Sequence, residues 1–455
     1  METCLKFVRT TFIWLAFFVS LACWPADQKS LTLSKAINHA LRFNLELQAV
    51  HYDYEAAQNE KRETSSSFWP QLAIHNDFNN LESSRFDLSQ QQAGFSGKTY
   101  SNKFQLSQLL FDRSISGEIR LADLRQKAAA WQETGQEHTV IFNTIIGFLD
   151  TLKADELIRV QKQRLDLAKH QLKTAQHNFE AGYQISADVA RAQLECSSAQ
   201  RDLVSAQVDF ERSQVSLNRL MGAPVTQRYA LVDPYFSKYH PPEKRVFSFD
   251  AAERLFNIAE AHNASVQVSR LLVKQYEESV QSAKGEFLPT LSAGASWGYY
   301  DVGDPNFETD EWSVQASVRI PLFDGGRKNA KIQKTKNQLS AQQKRFDDVI
   351  QEVQGLVEDS LLLIHEEALN LKTSIESEKV AQKNHEVYMN LYEEGMAQSL
   401  DVTEALTQLV EAKTEVVTAR FNYLRIVSQL LFVLGVIPTE GDIFEEADWL
   451  NIVKE

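Results

Sequence analysis

The chain has 455 residues, with 47 Lys and Arg against 61 Asp and Glu, a formal net charge of −14, and only 17 Gly and 10 Pro. So acidic a balance, with no basic patch to offset it, argues against a nucleic-acid partner. Three cysteines are too few for a disulfide framework, and so little Gly and Pro in this length favours long uninterrupted helices.

Lys6 and Arg9 precede an apolar run from Thr11 to Trp24, and Ser20-Leu21-Ala22 offers small residues for cleavage. Residues 1–22 therefore read as a secretory signal, the run being short for a membrane-spanning helix. Cleavage after Ala22 would leave Cys23 at the new N-terminus, which makes it a candidate lipid anchor. The other reading is an ordinary residue beside the cleavage point. Loss of Lys6, Arg9 and Glu2 leaves 45 bases against 60 acids, a charge of −15. No later segment is long and apolar enough for a transmembrane helix, so if the exported chain enters a membrane, strands must do it.

Leu31 to Ser67 reads as helix with a break at Asn44, capped by Thr32 or Ser34. Phe68-Trp69-Pro70 ends it, and Leu72 to Phe78 alternates as a strand. A polar stretch from Ser83 to Lys98 reads as an exposed loop. Tyr100, Asn102, Phe104 and Leu106 then alternate with Ser101, Lys103, Gln105 and Ser107 as a second strand, closing at Leu110-Phe111-Asp112. From Arg113 to Ala181 nothing breaks a helix, roughly 100 Å of rod at 1.5 Å per residue. Its lower part carries a seam of Ile158, Leu165, Leu172 and Phe179, with Ala154, Ala168 and Ala175 between. After a turn at Gly182, a second seam runs Val189, Ala192, Cys196, Ala199, Leu203, Ala206, Phe210, Ser213, Leu217 and Leu220. Cys196 thus sits where a small buried residue belongs.

Gly222 to His240 reads as irregular, and Pro241-Pro242 separates two halves. Then the pattern repeats. Phe249 to Glu286 is helix, with Asn263 in the place of Asn44, and Phe287-Leu288-Pro289 answers Phe68-Trp69-Pro70. Leu291, Ala293, Ala295, Trp297 and Tyr299 alternate with Ser292, Gly294, Ser296 and Gly298. Trp312, Val314, Ala316, Val318 and Ile320 alternate with Ser313, Gln315, Ser317 and Arg319. The turn Gly182 to Asp188 returns as Gly395 to Asp401 at an offset of 213 residues (395 − 182). Shifting the second seam by the same offset gives Val402, Ala405, Leu409, Ala412, Val416, Ala419, Tyr423, Ile426, Leu430 and Val433, every one apolar or small. The chain is therefore read as a duplication, residues 23–240 and 241–438, with a tail at 439–455. In both turns Gly182 and Gly395 suit a left-handed helix end, and Ser186, Asp188, Ser399 and Asp401 suit the start of the next helix.

No phosphate-binding glycine loop, metal-spaced His or Cys pair or nucleophile motif occurs, so neither an enzyme nor a bound cofactor or metal is expected. Adjacent carboxylates such as Glu366-Glu367 and Glu393-Glu394 read as solvated faces. The strands carry the signal instead. Each half holds two of about ten residues, apolar on one face and Ser, Gly or Gln on the other, which suits a barrel with lipid outside and water within. Trp69, Tyr100, Trp297, Tyr299 and Trp312 suit its interfacial belts. About four strands cannot close a barrel, and an open edge cannot sit in lipid, so chains must combine. Three would supply about twelve strands. The rival reading is a non-pore periplasmic coiled-coil spacer or adhesin.

The sequence resembles the outer membrane efflux protein family, the TolC-like channels, from about Leu31 to Pro438. The resemblance rests on Leu33-Ser34 to Asn44 and its counterpart ending at Asn263, Trp69-Pro70-Gln71-Leu72 and Leu288-Pro289-Thr290-Leu291, Leu322-Phe323-Asp324-Gly325-Gly326-Arg327, the two Gly-to-Asp-Val turns, and the ends Leu220-Met221-Gly222 and Val433-Leu434-Gly435. It implies an α+β membrane protein, with two repeats per chain. Each repeat supplies about two transmembrane strands and long coiled-coil helices. A homotrimer would form a twelve-stranded barrel in outer-membrane lipid above a helical tunnel through the periplasm of a Gram-negative bacterium. It further implies an exit duct for an inner-membrane transporter, in efflux or type I secretion, opened by a periplasmic adaptor. The pattern departs at Leu45 and Ala264, where the family often has Pro, and at Asp112-Arg113-Ser114, where the second half has Asp-Gly-Gly-Arg.

The family's charged constriction maps onto Asp401 and Glu404, three apart and so on one helix face. A trimer would gather six carboxylates there. The alternative is that Asp401 caps its helix and Glu404 faces solvent. The tips Gly182, Ser186, Asp188, Gly395, Ser399 and Asp401 map onto the adaptor's contact surface.

Overall fold

The computed structural model describes residues 29–82, 96–232, Phe236, 249–302 and 310–437. The signal segment, Cys23, Pro241-Pro242 and the tail 439–455 lie outside the described residues, as do residues 83–95 of the stretch read as a loop, whose end, Ser96–Lys98, is strand instead. Strand β1 (Lys29–Leu31) leads into α1 (Leu33–Phe43), α2 (Leu45–Ser66), β2 (Gln71–Glu82) and β3 (Ser96–Phe111). The 68-residue helix α3 (Arg113–Glu180) turns back as α4 (Ser186–Met221), and β4 (Tyr229–Leu231) pairs in parallel with β1. The second half runs α5 (Phe249–His262), α6 (Ala264–Gly285), β5 (Thr290–Val302), β6 (Asp310–Arg319), the 67-residue α7 (Arg327–Glu393) and α8 (Ser399–Leu434).

The repeated motifs act at the element ends. Thr32 caps α1, its hydroxyl 3.4 Å from the Lys35 amide. The carboxylate of Asp112 accepts from the amides of Ser114 (2.8 Å) and Ile115 (3.3 Å), and Asp324 accepts from Gly326 and Lys328. Each therefore satisfies free amides where a strand hands over to a long helix. Asn44 and Asn263 do more. Asn44 Oδ1 accepts from Leu47 N (3.1 Å), starting α2, while its Nδ2 donates to Leu220 O (2.9 Å) at the end of α4. Asn263 repeats this with Ser265 N (2.9 Å) and Val433 O (2.8 Å). Helix α4 is thus butted end-on against α2, and α8 against α6. The approach is close enough that a Cβ on Gly222 would lie 2.2 Å from Phe43 O, and one on Gly435 2.4 Å from His262 O. Both glycines also adopt a left-handed φ, so only glycine fits.

Two storeys follow. In the upper one the neighbours run α2, α3, α6, α7; in the lower one α4, α3, α8, α7. The main core lies where the storeys meet, around Ile37, Ile141, Ile145, Phe148, Leu217, Met221, Tyr423 and Leu434. Smaller clusters continue down the hairpins, and half-buried Cys196 packs with Leu165, Ala168, Ala199 and Leu203. The α4 and α8 seams are buried or half-buried throughout.

Two further readings of the sequence change in the helical part. Gly222 to His240 is not wholly irregular, because Tyr229–Leu231 is a strand held by β1. The α3 seam does not reach Phe179, which is 46% exposed, while Asn178 beside it is buried. In the lower storey helix α3 lies between α4 and α8, so a single heptad stripe misplaces the residues facing the second.

The four long strands form one antiparallel sheet in the order β2-β3-β5-β6. Its register aligns the apolar positions into rows. Ile74, Phe104, Trp297 and Trp312 make one; Leu72, Leu106, Ala295 and Val314 make the next. The opposite face carries His75, Lys103, Gly298 and Glu311, then Ala73, Gln105, Ser296 and Ser313. Gln71–Asn80 and all of β6 are exposed in the single chain.

Candidate functional site

Two places on this fold can act: the hairpin tips and the sheet. At the tips, Gly182 (φ 81°) and Gly395 (φ 75°) end α3 and α7 in matching left-handed conformations. The Tyr183 amide donates to Asn178 O (2.9 Å), and the Met396 amide to Leu391 O (2.8 Å), closing the same turn twice. The helix starts differ from expectation. Ser186 and Ser399 are first helical residues, and the caps are Ile185, which has no polar side chain, and Gln398. Asp401 reaches back instead, its Oδ2 accepting from the Gln398 amide at 2.9 Å. Asp188 lies 3.7 Å from Arg191, and Glu404 is exposed.

Ser399 is unavailable as a cap because it is fully buried between the hairpins. Buried Gln171 donates to Ser399 O (3.2 Å) and Thr403 Oγ1 (2.9 Å), tying α3 to α8. Asn178 Nδ2 donates to Tyr392 O (3.2 Å), and Tyr392 Oη donates to Gln184 Oε1 (2.9 Å). Burial pushes the Tyr392 phenol above its ordinary value, and the nearby Asp188 carboxylate adds to the rise. Sequence reasoning missed these ties. Their one signal was spacing, since Gln171 and Asn178 are seven apart and so share a helix face.

The sheet offers a second arrangement. One face carries the apolar rows, broken by Asn76 and Asn102, the other is mostly polar, and β2 and β6 leave both edges unpaired in the single chain. At the junctions between strands and helices, Leu322 and Phe323 are 92% and 91% exposed, and Trp69 and Phe287 are exposed as well. Such a sheet is not covered by its own helices. Among the described residues no helix is long and apolar enough to cross a membrane, and no group of His, Cys, Asp and Glu could hold a metal ion.

The sequence profile described as "Outer membrane efflux protein" matches residues 36–223 and 255–436, one segment in each half. The chain belongs to this family. It is similar to outer membrane protein TolC of Escherichia coli, 23% identical over 422 residues covering 89% of this chain and 82% of that protein. It also resembles alkaline protease secretion protein AprF of Pseudomonas aeruginosa, 22% identical over 447 residues, 96% of this chain and 90% of that one. Among solved structures, the CmeC outer membrane channel of Campylobacter jejuni shares the fold with a TM-score of 0.77 at 16% identity, over 93% of this chain and 89% of that one. Membership makes this chain an outer-membrane efflux protein, with its helices extending into the periplasm. A spacer or adhesin without a pore finds no support.

Proposed function

We propose that three copies of this chain close into a twelve-stranded barrel above a helical tunnel, forming the passive exit duct of an efflux or type I secretion system. One observation carries the reading. The four-stranded sheet has an apolar face, a polar face and two open edges, and in lipid each edge must be paired. Pairing β6 of one copy with β2 of the next satisfies all edges at once, turning the apolar rows to lipid and the polar rows to a lumen.

The tips of the tunnel are the gate. Asp401 and Glu404 of three chains gather near the axis, and the turns Gly182 to Asp188 and Gly395 to Asp401 present the surface that a periplasmic adaptor grips. An inner-membrane transporter chooses the cargo. The buried ties through Gln171, Asn178 and Tyr392 make the two hairpins of a chain move as a pair. Reconstitution into planar bilayers tests the duct: the protein should give discrete single-channel steps, and membranes that stay silent at all protein loads would remove it.

A further inference from the structure

The polar face of the sheet is not evenly polar. Among its described residues, most positions are Ser, Gly, Gln, Asn, Thr or Ala, as in Gln105, Ser107, Ser292, Ser296, Ser313 and Ser317. The charges are confined. His75, Lys103, Gly298 and Glu311 occupy one cross-strand row, and Asp77 stands one row further out, accepting from Ser101 Oγ at 3.4 Å. Apart from these, only Arg319 at the helix end of β6 is charged on this face among the described residues.

Gly298 separates Lys103 from Glu311 in that row. A Cβ there would lie 2.2 Å from Asn102 O and 2.7 Å from the Lys103 Cα, so no side chain fits between the two charges. The row lies eight residues from Arg319 (319 − 311), about 26 Å along the strand at 3.3 Å per residue. At a tilt of roughly 40° that is about 20 Å of height, within an apolar band some 25 Å tall.

We infer that Asp77, Lys103 and Glu311, with His75 beside them, form a charged belt partway up the lumen wall, a second selectivity element distinct from the carboxylates at the tips. The inference rests on the trimeric duct proposed above. Twelve strands about 4.8 Å apart and tilted by roughly 40° enclose a lumen about 24 Å across between backbones, so side chains from all walls reach within one or two Debye lengths of passing cargo. Lys103, Glu311 and Asp77 give each chain one positive and two negative charges here. Lys103 attracts anionic groups of the cargo, and Glu311 with Asp77 attracts cationic ones.

The test is the reversal potential of the reconstituted trimer under a KCl gradient, with the tip residues unaltered. Lys103→Glu should raise the cation-to-anion permeability ratio and Glu311→Lys should lower it, each by about two-fold or more near 0.1 M salt and less at 1 M, where screening shortens to about 3 Å. Lys103→Gln and Glu311→Gln, which add no new charge, should shift the ratio in the same directions by about half as much. Pores of normal trimer size whose selectivity ignores these substitutions overturn the belt alone. Absence of any pore from the unaltered protein overturns the duct and the belt with it.

Discussion

Asn44 and Leu220, 176 residues apart, are joined by a 2.9 Å hydrogen bond from the Asn44 side-chain amide to the Leu220 carbonyl. The same side chain starts α2 through Leu47, so one residue both ends α4 and begins α2. Asn263 and Val433 repeat the relationship in the second half.

Replacing Asn44 therefore removes two capping interactions together. Asn44→Ala should cost about 1–2 kcal/mol per chain, read as a lower thermal midpoint of the helical circular-dichroism signal. Asn44→Asp keeps the acceptor for Leu47 but sets a carboxylate against the Leu220 carbonyl, and should not restore stability. Full recovery with Asp would reduce Asn44 to an ordinary N-cap.

The ties at the tips make a second prediction. Gln171→Leu with Tyr392→Phe removes the bonds to Ser399, Thr403 and Gln184 while keeping bulk. Each lost bond weakens hairpin pairing by about 1 kcal/mol. The resting conductance in planar bilayers should rise, with trimer size unchanged. An unaltered resting conductance would show that the hairpins are held together by their apolar seam.

The acidic pair gives the third. If the trimer gathers Asp401 and Glu404 near its axis as proposed, six like charges repel there and would attract cations. Asp401→Asn with Glu404→Gln should weaken cation selectivity and block by multivalent cations in single-channel recordings, while assembly persists. Unchanged selectivity and block would leave Asp401 as the cap that its bond to Gln398 already makes it.

Much of this was legible because strands and helices write their periods directly. The rows of the sheet follow from alternation in Leu291 to Tyr299 and Trp312 to Ile320, and the α8 seam follows from the α4 seam shifted by one offset. The hidden parts are those where a residue answers to a distant partner. Lys29–Leu31 and Tyr229–Leu231 are too short to show a period, and only their pairing makes them strands. Gln171 and Ser399 look like surface residues until α3 meets α8, where Ser399 is buried against Gln171 and does not cap its helix. The Asn44 break was visible, but not the carbonyl it serves.

Acid should loosen the long helices through His385. It is buried on α7, and burial holds its pKa below the ordinary 6.5, Glu386 opposing and Lys413 adding to the effect. The unfolded chain then takes up its proton first, so this contribution to stability is full above about pH 6.5 and is lost as pH falls below it towards the depressed folded value. His385→Gln should flatten that part of the stability–pH curve. An identical curve for the variant would place the acid sensitivity elsewhere.

If three chains share one barrel, the mass of the protein particle in mild detergent shows it most directly. Light scattering, corrected for bound detergent, should give three chains per particle, stable to dilution, with both helix and strand signals present. A monodisperse particle of one chain, retaining its strands with both edges of the β2-β3-β5-β6 sheet open, would contradict it.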